Sequence, residues 1–158
     1  AIFPQDHGES ESLLKYAGMA LVKARQTGRN KCLFYSAAMS QQLRDRAFME
    51  SALRNAIRNK ELSVLYQPQV SLASGKVVGA EALVRWSHPV LGEVTAGRFI
   101  ALAEETGLMN DIGLWVLERV CLDLAACSVT GWTKVPVAVN VSPAQLRDPL
   151  LADQITAL

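Results

Sequence analysis

Apolar positions recur at helical spacing early in the chain. Leu13, Ala17, Ala20, Leu21 and Ala24 stand at i, i+4, i+7, i+8 and i+11, the pattern of a helix with one buried face. This predicts a helix over Ser10 to Thr27, with Ser10 as N-cap and Glu11 in the first turn, where the helix dipole favours an anion. Gly28 is placed for a left-handed C-terminal cap. A short strand, Lys31 to Ser36, is expected next, so that the first forty residues read strand, helix, strand. A second helix is predicted from Ser40 to Lys60, burying Met49, Leu53, Ala56 and Ile57 and exposing Arg44, Asp45, Arg46, Glu50, Arg54 and Arg58 as a solvated charged face.

The period then changes from helical to alternating. Leu62 to Val70 and Val77 to Trp86 are β-rich runs around Ala73-Ser74-Gly75-Lys76, which predicts a hairpin. A helix is expected from Ala96 to Glu105, stopped at Gly107. Another is expected from Asp111 to Ser128, with Ile112, Trp115, Val116, Arg119, Val120 and Leu122 to Leu124 on a broad face. Gly131 breaks the chain before a strand from Val135 to Val141, and a last helix is expected from near Pro143 through Leu158. Strand, helices, strand, helix is the order of a parallel α/β layer or barrel.

Composition narrows the function classes. Sixteen basic and fifteen acidic residues give a net charge of +1, which supports neither a nucleic-acid nor a membrane-surface role. The apolar runs are too interrupted to span a bilayer, and residues 1–6 lack the features of a secretion signal. The absence of an initiator Met suggests a segment of a longer protein. Cys32, Cys121 and Cys127 are odd in number and not in C-x-x-C spacing, so buried, reduced thiols in the cytoplasm are expected.

The chemistry-bearing positions lie on two strands. In Glu81-Ala82-Leu83-Val84-Arg85-Trp86, alternation points Glu81, Leu83 and Arg85 one way and Ala82, Val84 and Trp86 the other. Two charges on one face require partners. They either pair with each other or offer a carboxylate for a divalent cation and a guanidinium for a phosphate. Asn140 lies at the carboxyl end of an apolar strand, where α/β barrels place active-site groups; the alternative is a capping or turn residue. Ser142, before Pro143, is the better cap candidate. Gln67, before Pro68, is either a site residue or a turn residue.

Local strings add a family resemblance. Tyr66-Gln67-Pro68, Gly79-Ala80-Glu81-Ala82-Leu83-Val84-Arg85-Trp86, His88-Pro89, Leu91-Gly92, Phe99-Ile100, Ala103-Glu104, Gly107-Leu108 and Val139-Asn140-Val141-Ser142 together resemble the EAL phosphodiesterases across residues 50 to 150. Phe3-Pro4, Leu13-Leu14, Ala20-Leu21, Ala24-Arg25 and Gly28-Arg29-Asn30 resemble the C-terminal end of a GGDEF domain. Gly18, Val22 and Arg25 stand where that family usually has Asp, Tyr and Lys; Arg25 and Arg29 match phosphate-contacting positions of active cyclases.

The resemblance implies an α/β fold: the N-terminal half of a TIM-type (β/α)8 barrel, residues 40–158, preceded by a β-α-β remnant of a GGDEF-like domain, residues 1–39. It implies cyclic-di-GMP as ligand and Mg²⁺ or Mn²⁺ as cofactor. Glu81 and Asn140 would be metal ligands, and Gln67 and Arg85 would contact the dinucleotide. The parent protein would hydrolyse cyclic-di-GMP to linear pGpG, and a homodimer through the EAL-type domain is compatible with it. A barrel of this type takes about 250 residues, so this chain is expected to hold no complete catalytic set and to be inactive alone. A cyclic-di-GMP receptor without turnover is the alternative.

Overall fold

The computed structural model describes residues 1–28, 30–129 and 135–158, and the chain divides into two compact units, 1–49 and 50–158. In the first unit, α1 spans Ser10–Gln26 and α2 begins at Ala37, running to Ala56 across the division. Ala20 and Ala24 are the buried positions of α1, whereas Ala17 and Leu21 are exposed. The residue preceding α1 is Glu9, which makes no side-chain cap, so Ser10 is its first helical residue rather than its N-cap. Tyr35 stacks on Tyr16 at 4.1 Å between centroids, and its hydroxyl is 2.9 Å from Ser40 Oγ.

The strand expected over Lys31 to Ser36 is not formed. Strand hydrogen bonds need a neighbouring strand, and the described residues of this unit supply none, so the expected β-α-β is not formed among them. Cys32, Cys121 and Cys127 are all exposed, against the expectation of buried thiols. On the second long helix of the other unit, Cys121 sits one position past buried Val120 and so turns out of the packed stripe.

In the second unit, β1 (Leu62–Val70) and β2 (Val77–His88) form the expected antiparallel hairpin, in register from Leu62 opposite Trp86 to Gln69 opposite Gly79. A further strand, β3 (Gly92–Val94), folds back on the end of β2. Then come α3 (Ala96–Thr106), ended by Gly107 at φ 76°, and α4 (Met109–Val129). β4 (Val137–Val139) returns parallel to β2, with Ala82 opposite Val139. The sheet is therefore mixed: the crossover pair is parallel and the hairpins are antiparallel. The Gly131 break falls outside the described residues.

The even-numbered face of β2 is the buried one. Trp86 and Phe99 are wholly buried and meet edge to face at 5.8 Å, with Ile112, Val116 and Val120 of α4 completing the core. Leu122 and Leu124 of α4 are exposed, so its buried stripe is narrower than the sequence pattern suggests. Trp86 Nε1 donates to Glu61 Oε2 at 3.0 Å.

After β4 the expected long helix is replaced by a 3-10 turn, Gln145–Arg147, and a short α5, Leu151–Thr156. Pro149 explains the break. It has no N–H and forces the residue before it out of the helical region, and Asp148 is extended, at ψ 114°.

Candidate functional site

The odd-numbered face of the sheet carries the polar groups. The β1–β2 register sets Gln67 directly opposite Glu81, Leu65 opposite Leu83 and Ser63 opposite Arg85. On the other side Glu81 faces Ala138 of β4, so Asn140, two residues on, emerges on the same face just past the strand end. Asn140 Nδ2 donates to Glu81 Oε1 at 2.6 Å, linking residues 59 apart in the chain. Arg85 lies four residues beyond Glu81, about 13 Å along the strand. Its guanidinium donates to the Val84 carbonyl at 2.9 Å. The partner of Glu81 is therefore Asn140 and not Arg85, which removes the internal Glu–Arg pair from consideration.

The structure thus brings Glu81, Asn140 and the backbone of Gln67 together and sets Arg85 farther along the same face. Among the described residues, no three His, Cys, Asp or Glu side chains cluster as cation ligands; the juxtaposition is one carboxylate with one carboxamide.

On the opposite face Tyr66 joins β1 to α4. Its hydroxyl donates to Asp123 Oδ2 at 2.7 Å, and Asp123 in turn pairs with Arg119 at 2.7 Å. Desolvation, then the bond to Asp123 and that residue's negative charge, push the Tyr66 phenol well above its usual range. At the end of β2, desolvation opposes ionisation of Glu61, but donors on Trp86 and Asn59 and the nearby His88 together outweigh it and hold its carboxyl below the usual range. His88 Nδ1 accepts from Val90 N and Leu91 N, closing the turn into β3.

Two reciprocal bonds hold the segment after β4. Ser142 N donates to Gln145 Oε1 at 3.1 Å, and Gln145 N donates to Ser142 Oγ at 3.2 Å, the reciprocal arrangement of a capping box. Ser142 thus makes the reciprocal bonds that its place before Pro143 suggests, although the residue directly preceding the 3-10 turn is Ala144, which makes no side-chain cap. Gln145 and its neighbour Gly113 were not singled out in the sequence; the S-x-x-Q spacing of Ser142 and Gln145 and a glycine inside an apolar helix are the signals that mark them.

A family model described as "EAL domain" matches residues 50–158, the whole of the unit that carries Glu81 and Asn140. The chain belongs to the EAL family. "Cyclic di-GMP phosphodiesterase NbdA" of Pseudomonas aeruginosa is 39% identical over 155 residues, covering 98% of this chain and 20% of NbdA. "Bifunctional diguanylate cyclase/cyclic di-GMP phosphodiesterase MucR" of the same species is 34% identical over 155 residues, covering 98% of this chain and 23% of MucR. The solved structure "PaMucR Phosphodiesterase, c-di-GMP complex" superposes with a TM-score of 0.66 at 37% identity, over 70% of this chain and 44% of that one. The chain spans about a fifth of the length of these curated relatives. The EAL domain is a TIM-type barrel, and the mixed sheet with α3 and α4 on one face is this chain's share of it. No helix among the described residues is long and apolar enough to cross a membrane.

Proposed function

We propose that this chain is part of a protein that hydrolyses one phosphodiester bond of cyclic-di-GMP, yielding linear pGpG, and that Glu81, Asn140, Gln67 and Arg85 lie in its site. The observation that carries this reading is the 2.6 Å apposition of Glu81 and Asn140 on the face shared with Arg85, within a member of the EAL family. Support for the ligand comes from the relatives NbdA and MucR, named as cyclic-di-GMP phosphodiesterases.

EAL phosphodiesterases depend on a divalent metal, and Glu81 and Asn140 fit one. Each can present a hard oxygen, the donor type that Mg²⁺ and Mn²⁺ prefer. These two residues would hold the ion, which when bound would activate water and stabilise charge at phosphorus. Arg85 has one Nη1 donor on Val84 O, which leaves its Nε and Nη2 edge to meet a phosphate. Gln67, opposite Glu81, would contact the dinucleotide. With four strands in this sheet against eight in a closed barrel, the 158 residues alone supply part of the site and are expected to show no turnover.

Residues 1–39 we assign to the C-terminal end of a GGDEF-like domain, with 40–158 in the EAL-like domain. The similarity to MucR, a named diguanylate cyclase as well, covers 98% of the chain and so extends into these residues. We place the segment in a reducing, cytoplasmic compartment, where exposed cysteines such as Cys32 and Cys121 stay as thiols. A homodimer through the EAL-like domain is checked by sedimentation of the full-length protein.

The test is turnover of cyclic-di-GMP by the full-length protein with Mg²⁺ or Mn²⁺. Glu81→Ala is expected to abolish it; turnover that survives the substitution rejects the metal-ligand assignment. Tight binding of the dinucleotide without turnover by the wild type would instead make the protein a receptor.

A further inference from the structure

Gln145 is only 2% exposed, a depth at which a carboxamide is retained only with its hydrogen bonds satisfied. Those bonds fix Ser142, whose N–H and hydroxyl are both engaged by Gln145, and Ser142 lies two residues after Asn140. The turn that the pair opens is three residues long, so holding a helix is a small part of what the arrangement accomplishes. On its other side the Gln145 carboxamide rests against α4 at Gly113. A Cβ built there would come within 2.6 Å of Gln145 Cδ. Glycine is unfavourable inside a helix relative to alanine, and the close approach of Gln145 accounts for its presence in the second turn of α4. Gly113 also borders a cavity of about 90 Å³ with Arg85 and Asn140, which puts the contact directly behind the candidate site.

We infer that Gly113, Gln145 and Ser142 are positioning residues for Asn140: α4 seats Gln145, Gln145 holds the Ser142 backbone, and this aims the Asn140 side chain at Glu81. What Asn140 then does rests on the metal-site reading above; its orientation does not.

The experiment separates the two. In the full-length protein labelled with ¹⁵N-asparagine, the Asn140 side-chain amide pair is assigned by its loss in Asn140→Asp, and its position reports the bond to Glu81 without any metal. Gly113→Ala and Gln145→Ala are expected to move this pair to the position of a free amide. They should also weaken Mn²⁺ binding, measured calorimetrically without substrate, by roughly 10–100-fold, the usual loss when a ligand's supporting contact is removed. Gln145→Glu, which keeps the oxygen that accepts from Ser142, should leave the pair near its wild-type position. A folded Gly113→Ala or Gln145→Ala protein with the Asn140 pair unmoved overturns the inference. Should both variants unfold at the assay temperature, Gln145→Met, which keeps the side-chain volume and removes the oxygen that accepts from Ser142 N, decides it by the same readout. If the amide pair moves while wild-type protein binds no Mn²⁺, the positioning stands and the metal-site reading fails.

Discussion

At the level of single residues, the Tyr66 hydroxyl ties β1 to α4 through Asp123. Its phenol titrates higher in the fold than the unfolded value of 10.0. The protonated form is therefore favoured by folding, and that contribution is whole below about pH 10 and lost as pH rises through the higher folded value. Tyr66→Phe removes both the bond and the titration. Thermal unfolding of the full-length protein followed from about pH 8 upward should show wild type losing stability more steeply than the variant, with the two curves approaching each other at high pH. Parallel curves would mean that Asp123 does not hold the phenol in solution. Reading residues was easier for faces than for partners. Alternation alone put Glu81 and Arg85 on one side of β2 and Trp86 on the other, because strand geometry allows no other arrangement. It could not say that Glu81 would pair with Asn140 rather than Arg85, since that depends on β4 arriving beside β2.

Among the elements, those with local causes were legible and those that depend on distant neighbours were not. The hairpin of β1 and β2 and the stop of α3 at Gly107 follow from nearby residues. Gly107 sits at φ 76°, where an L side chain is strained by about 1–2 kcal/mol, so Gly107→Ala should lower the denaturation free energy by about that amount. Chemical denaturation of the full-length protein measures it, and the Asn140 amide signal should stay in place because the strain is confined to the end of α3. Lys31 to Ser36 has strand-like composition but no partner strand among the described residues of its unit. β3 is three residues long and exists because His88 closes the turn that brings it back on β2, too short a run to show a period. The helix expected after Pro143 overlooked Pro149, whose effect on Asp148 is local and could have been read.

Across the second unit, one strand organises everything: β2 bonds to β1 along one edge and to β3 and β4 along the other. The same strand carries Glu81 and Arg85, so the candidate site has its fixed wall where the sheet is paired on both sides. Its other wall, Asn140, reaches that strand from 59 residues away. This separation has a kinetic consequence. A hairpin closes its short loop at little entropic cost, whereas β4 can dock only after the intervening chain has been ordered. Refolding should therefore build β1 and β2 early and bring Asn140 to Glu81 late. In stopped-flow refolding, Val84→Ala in the hairpin is expected to slow the folding limb, while Val139→Ala in β4 should mainly speed unfolding. A half-folded chain would then already display the Glu81 carboxylate and would acquire its partner only as the final contacts form.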